Sequence, residues 1–244
     1  MSPSKLVFAM AAATALLLSG PIQVQAQDKA ETRTFLFIDP AALPAALTLP
    51  APPADNTPRA QAELAEVKAI MAASTPQRVA QATKDSQDES AGFFGDTVPG
   101  FDLARLPATK KLFDEVRNDE DLQARLFKTW FARRRPYNVD PSITTCDPSD
   151  NTTQATSYPS GHATMGYTMA VVLADLVPEK GAAIQSRAQL YAENRLVCGA
   201  HYRADIVAGQ VLGTLVGEDL LKAPKFQPDL EAARVELKAA GVTK

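Results

Sequence analysis

The sequence predicts an all-α fold: one helical bundle preceded by an extended N-terminal arm. Three observations carry this. Apolar residues recur at three- and four-residue spacing, and no segment alternates polar with apolar in the manner of a strand. Thr57-Pro58, Thr75-Pro76, Pro107, Pro178 and Pro228 each precede such a run, proline being suited to the first helical position and threonine to the cap before it. Two segments, 165–177 and 206–221, are apolar on nearly every face, as a helix buried among others must be.

Taken in order, residues 27–57 are rich in Ala and Pro, with a short apolar run at Phe35-Leu36-Phe37-Ile38. Five prolines in that stretch exclude a continuous helix, so it reads as an arm lying over the body. Residues 58–244 then form the helical domain. Leu64, Val67, Ile70 and Met71 share one face of the helix opened at Pro58. Pro107 opens a segment carrying Leu112, Phe113 and Val116, and Leu122, Leu126 and Trp130 stripe a helix with Lys128 on another face. The helix begun at Pro178-Glu179 leads to Arg195. Gly209, Gly213 and Gly217, spaced by four, allow a neighbouring helix to approach closely. Pro228 opens a last amphipathic helix, 230–240.

Residues 1–26 stand apart. Lys5 precedes an apolar stretch from Leu6 to Leu18, and Val24-Gln25-Ala26 offers small residues for cleavage, the pattern of a secretory signal peptide. Its removal leaves 218 residues and takes the net charge from −3 to −4. No later segment reaches the roughly 18 uninterrupted apolar residues of a membrane span. The expected product is periplasmic or secreted. Its charge points away from nucleic acid, and a homo-oligomer is left open. In an oxidising compartment Cys146 and Cys198, the two cysteines, read as a disulfide, with two unpaired buried thiols as the alternative. Closing that loop is worth roughly 4 kcal/mol on chain-entropy grounds. Asp147-Pro148-Ser149-Asp150 reads as a solvated turn rather than a calcium loop, and Asn151-Thr152-Thr153 is a glycosylation sequon.

The chemistry gathers around the two histidines of the chain. His162 closes Pro159-Ser160-Gly161-His162, and His201 lies within Arg195-x5-His201-x3-Asp205. Upstream, Lys128-x6-Arg135-Pro136 places two cations about 700° of helical rotation apart, 20° short of two turns. Both therefore leave one face of a helix that Pro136 ends at Arg135. Arg133 and Arg134 read as a solvated basic face. Ser160 and Gly161 fall at a helix N-terminus, where N–H groups and a hydroxyl favour an anion. Asp205, a helical turn after His201, can fix its tautomer and aim the other nitrogen outward. These are the residue types that phosphoryl transfer requires.

The three phrases, in this order, resemble those of the type 2 phosphatidic acid phosphatase superfamily. Within it, the strings Thr144-Thr145-Cys146, Ser157-Tyr158-Pro159-Ser160-Gly161-His162 and Val197-Cys198-Gly199-Ala200-His201-Tyr202 are similar to those of exported bacterial class A non-specific acid phosphatases. Where that family has Ser-Arg, this chain has Asn194-Arg195. The resemblance implies hydrolysis of a small phosphomonoester in two steps: His201 attacks phosphorus, Asp205 steadies its ring, and His162 protonates the leaving group. Lys128, Arg135, Ser160, Gly161 and Arg195 bind the phosphate. The histidines then have to start in opposite protonation states, which requires different surroundings.

No cofactor or metal is expected. A two-metal phosphatase needs histidine and carboxylate ligands that two committed histidines cannot supply. A vanadate-dependent haloperoxidase shares the constellation but fits the acid phosphatase strings and compact length less well. A lipid phosphate phosphatase is disfavoured by the lack of spans. A non-catalytic anion-binding protein would need the cations but not an Asp-backed histidine.

Overall fold

The computed structural model describes residues 33–146 and 155–244. The leader expected over residues 1–26, the acidic turn at 147–150 and the sequon at 151–153 lie outside the described residues. Within the arm stand a 3₁₀ turn, Pro40–Ala42, and α1 (Ala45–Thr48). There follow α2 (Pro58–Ala73), α3 (Pro76–Gln87), a 3₁₀ turn (Ala91–Phe94), α4 (Pro107–Phe131) and α5 (Pro136–Val139). After these come α6 (Gly161–Leu176), a 3₁₀ turn (Pro178–Lys180), α7 (Gly181–Val197), α8 (Arg203–Lys222) and α9 (Gln227–Ala239). Helices account for the fold, and no strand occurs among the described residues.

The start signals act as their chemistry requires. Thr57 Oγ1 accepts the Ala60 N–H and Thr75 Oγ1 the Arg78 N–H, both at 3.2 Å, with proline opening each helix. At the centre lies α6, buried on most sides and packed against α4, α7 and α8. Its tightest partner is α8, and the three glycines are the reason. A Cβ on Gly213 would lie 2.3 Å from the Thr164 carbonyl oxygen, on Gly209 2.7 Å from that of Ser160, and on Gly217 2.7 Å from Val171 Cβ. Backbone meets backbone along this seam, which holds the start of α6 against the start of α8.

One reading of the sequence is corrected. Residues 107–131 form a single 25-residue helix, and Leu126 and Trp130 lie on its exposed face. The buried stripe of its second half is Asp119, Glu120, Gln123, Ala124 and Phe127. Asp119 and Gln123 are buried there because their partner is main chain. The Asp119 carboxylate accepts the N–H groups of Leu36, Phe37 and Ile38 at 2.8, 2.9 and 3.1 Å, and Gln123 donates to the Leu43 carbonyl at 3.2 Å. An apolar-periodicity rule has no signal for a surface that binds backbone. The arm itself lies over the body as expected: Phe35 and Phe37 pack on the main core, and the Tyr158 hydroxyl donates to the Pro50 carbonyl at 2.6 Å.

The glycine seam makes a prediction with a diagnostic sign. By helix propensity alone, Gly213→Ala stabilises by up to about 1 kcal/mol. Against the Thr164 carbonyl it should instead destabilise by about 1–3 kcal/mol, the cost of overpacking, measured as a drop in the urea midpoint. An unchanged or raised midpoint would mean that the helices are not in this contact.

Candidate active site

Asp205, in the first turn of α8, is fully buried and collects hydrogen bonds from several directions. Its Oδ2 accepts from Ser157 Oγ at 2.5 Å and the Tyr202 N–H at 2.9 Å, and faces His201 Nδ1 at 3.4 Å. Its Oδ1 accepts from Arg133 at 2.6 Å. Burial raises the Asp205 carboxyl to about 6, while Arg133, Ser157 and the Tyr202 N–H favour its anion.

Arg133 corrects the sequence reading. It is 5% exposed, donates to Glu63 at 2.6 Å as well as to Asp205, and lies 4.0 Å over the ring of Tyr202. Arg134, by contrast, points outward and pairs with Asp55 at 3.0 Å, as a solvated residue does. The three arginines diverge because α4 ends earlier than expected. Ala132 adopts the left-handed conformation (φ 47°, ψ 46°) after Phe131, so helical rotation does not carry through to Arg135. Arg135 instead caps α5, with Pro136 in its first turn. The turn still returns Arg135 to the face that holds Lys128.

These two side chains, with Gly161 and His162, line a cleft of about 770 Å³, whose wall also includes Glu89, Arg117, Asp121 and Arg125. Gly161 leaves room for Lys128: a Cβ there would lie 3.2 Å from its Nζ. Ser160 stands just behind, fully buried, its Oγ accepting the Ala163 N–H at 3.3 Å as the cap of α6 and its own N–H donating to the Asp205 carbonyl at 3.0 Å. Arg195, in the last turn of α7, is 1% exposed, and its charge acts on both histidines.

The end of α7 delivers His201. Gly199 takes φ +63°, and the Ala200 N–H returns to the Arg195 carbonyl at 3.0 Å, closing the helix with a left-handed glycine. A Cβ on Gly199 would also meet Ile143 at 2.6 Å. The Cys146–Cys198 disulfide forms immediately beside this turn, with Cα atoms 5.0 Å apart.

The histidine tautomers follow from their partners. Arg135 NH1 lies 3.3 Å from His201 Nε2, and a guanidinium only donates, so Nε2 presents its lone pair and Nδ1 keeps the hydrogen that faces Asp205. His162 Nε2 lies 3.2 Å from the Ser86 carbonyl, which only accepts, so there the hydrogen is on Nε2. Burial, then the charges of Arg135, Arg195 and Lys128, holds His201 well below the ordinary histidine range. Burial and the same cations also hold His162 well below that range, with the Ser86 carbonyl opposing. Both rings are thus held toward the neutral form, and their surroundings differ in the partner each faces, Asp205 for His201 and the Ser86 carbonyl for His162. Lys128 is brought down to about 8 by burial and by Arg135, and remains a cation in acid.

The structure thus brings together Lys128, Arg135, Gly161, His162, His201 and Asp205, with Ser160 and Arg195 directly behind. Arg133, Glu63, Ser157 and Glu89 were not foreseen. Ser157 lies inside a quoted string and Arg133 beside another, but Glu63 is one carboxylate among several on α2 and carries no sequence signal. Asn194 does not reach the cleft. Its amide donates to Asp85 at 2.6 Å and its oxygen accepts from Arg78, tying α7 to α3.

Several known proteins are similar to this chain. The PAP2 superfamily pattern matches residues 121–223, which hold all three phrases. The chain is 34% identical to an acid phosphatase of Zymomonas mobilis over 169 residues, 67% of this chain and 64% of that one. It is 36% identical to a non-specific acid phosphatase of Salmonella typhimurium over 112 residues, 45% and 44% of the two chains. Against a non-specific acid phosphatase of Providencia stuartii it is 28% identical over 169 residues, 66% of this chain and 67% of that one. The chain spans less than two thirds of the length of the first two of these relatives. The segment 121–223 carries the PAP2 superfamily pattern.

Arg133 and Arg134 should separate in a stability measurement. Arg133→Leu leaves the carboxylates of Asp205 and Glu63 buried without their cation and should cost about 3–5 kcal/mol by urea denaturation. Arg134→Ala should stay within about 0.5 kcal/mol of the parent. Equal effects would contradict the inward placement of Arg133.

Proposed function

We propose that this protein is an exported acid phosphatase that hydrolyses small phosphomonoesters without a metal, through a phosphohistidine on His201. The observation that carries the reading is the line Asp205–His201–Arg135. A buried carboxylate backs one ring nitrogen, while the other turns its lone pair toward the cations of a cleft. An anion-binding protein has no use for an aimed lone pair. The relatives named acid phosphatases support the same reading. Export is supported by the leader pattern at residues 1–26 and by the disulfide. Residues 27–57 are then the arm and residues 58–244 the catalytic domain.

In the first step His201 Nε2 attacks phosphorus, a P–N bond forms and the P–O bond to the alcohol breaks. Lys128, Arg135, Arg195, the Gly161 N–H and the Ser160 hydroxyl hold the three equatorial oxygens, where the transition-state charge spreads. As the ring gains charge, Asp205 stabilises it. His162 gives its proton to the departing alkoxide. In the second step His162 takes a proton from water, the water oxygen bonds to phosphorus, and the P–N bond breaks to release phosphate. His201 then recovers its lone pair. Cationic side chains do the neutralisation that a metal would otherwise supply. The wide, polar cleft suits broad specificity for the alcohol.

The lowered histidines argue for work in acid. A nucleophilic His201 has to be neutral, and its depressed pKa keeps it so where an ordinary histidine is charged. His162 has to be protonated to act as an acid, which its own depressed pKa places at low pH.

His201→Ala should abolish turnover and phosphoenzyme. An acid-labile, base-stable phosphoenzyme trapped from that variant at normal yield would assign the nucleophile elsewhere. In His162→Ala, single-turnover phosphoenzyme formation should slow far more for alkyl phosphates than for p-nitrophenyl phosphate, whose leaving group has a pKa near ~7. An equal factor for all esters would remove His162 as the acid. Activity should survive EDTA and fall with vanadate or phosphate, which occupy the same cationic cleft. Loss on chelation, restored by a divalent ion, would overturn the metal-free reading.

A further inference from the structure

His162 has a difficulty that the three phrases do not resolve. It must carry a second proton when the ester bond breaks, yet the charged groups around it oppose that. Lys128 faces it from α4, Arg135 from the turn beyond, and Arg195 from α7, while Tyr191 of α7 stacks on it at 5.7 Å. His201 lies close enough for the two rings to act on each other, and Ser86 of α3 supplies a carbonyl. The opposing charge comes from outside the recognised motifs. Glu89, in the short segment between α3 and the 3₁₀ turn at Ala91–Phe94, places Oε1 3.7 Å from His162 Nε2.

We propose that Glu89 is the positioning residue that lets His162 act as the acid, a deepening that rests on the phosphohistidine reading. Ser86 can only accept, so Nε2 keeps its hydrogen throughout and Nδ1 is the nitrogen that gains and gives up the proton. Glu89 itself exchanges no proton in the step. Its charge lies on the Nε2 side of the ring and stabilises the imidazolium, whose Nδ1–H is transferred to the leaving oxygen.

The carboxylate is held in place for this. Arg117 of α4 donates to Glu89 Oε2 at 2.8 Å, and Arg117 is itself fixed by Glu120 at 2.6 Å and Asp121 at 3.3 Å on its own helix. Glu120 is fully buried, so the far end of the chain is anchored in the wall of the bundle. Glu89 is half-exposed at the mouth of the cleft, where water screens it. A substrate that fills the cleft removes that water and strengthens the Glu89–His162 interaction at the moment it is needed. A carboxylate at the entrance of a phosphate site also repels the substrate, so its placement there calls for a compensating role.

The test compares Glu89→Gln and Glu89→Asp with the parent on an alkyl phosphate and on p-nitrophenyl phosphate across pH. An opposite charge at this range shifts a titration by about one unit or more. In Glu89→Gln the basic limb of kcat for the alkyl ester should therefore move down by about one unit, roughly a tenfold loss above it. The loss for p-nitrophenyl phosphate should be much smaller, and KM should fall or hold. Glu89→Asp should recover part of the limb, and the melting temperature should match the parent. A limb that does not move, or an equal loss of kcat on both esters, would overturn the proposal. So would a lower KM with kcat unchanged on the alkyl ester, the signature of mere repulsion. Parent enzyme that forms an acid-labile phosphoenzyme on both esters leaves the phosphatase reading intact whichever of these is seen.

Discussion

The Asp205 carboxylate is the point on which the site depends, because all three motif-bearing segments meet there. The segment after α4 reaches it through Arg133, and the loop before α6 through Ser157. The turn into α8 brings His201 and the Tyr202 N–H. Even its carbonyl takes part, accepting the Ser160 N–H. A carboxylate with no exposure is unfavourable until it is surrounded by donors. The donors gathered here are the segments that must be aligned for chemistry. Satisfying one buried charge and assembling the active site are thus the same event.

That charge also polarises the site. Behind His201 stand Asp205 and Glu63 with Arg133 between them; Arg135 lies at its Nε2, and the charges of Lys128 and Arg195 also act on the ring. The ring lies in a field that runs from a negative back to a positive front. Such a field favours the tautomer with hydrogen behind and lone pair ahead, and resists a proton on the front nitrogen. On the proposed function, a phosphate dianion entering the cleft would reverse the field at the front. The histidines are then depressed by cations that substrate neutralises, which links occupation of the cleft to the protonation of His162.

How much of this was legible depended on what each residue packs against. Helix starts are local, a threonine side chain on its own backbone, and they were readable at Thr57 and Thr75. The glycine spacing was readable because contact between two helices repeats at helical period. The second half of α4 was misread because it buries Asp119 and Gln123 against the backbone of the arm, a partner without a hydrophobic pattern. The candidate site residues lie inside short phrases, and the fold brings those phrases together around Asp205. Arg133 was misplaced because a run of three arginines looks solvated, and nothing in sequence announces a left-handed Ala132. Glu63 and Glu89 come from segments 70 or more residues away from the groups they serve, and long-range charge pairing leaves no local trace.

Asn194 shows how the scaffold accommodates a departure in its most constrained region. It neighbours Arg195, where the resembling family places a hydroxyl. Its amide has two ends, one donating to Asp85 and the other accepting from Arg78, and Asp85 in turn receives both guanidinium nitrogens of Arg187 at 2.7 and 3.0 Å. A serine at this position could donate to Asp85, but its short side chain could not also span to Arg78. The substitution therefore belongs to a network across α3 and α7 that holds the last turn of α7 firmly. The network ties the turn of α7 that precedes Arg195 to the end of α3, at Asp85, four residues before Glu89.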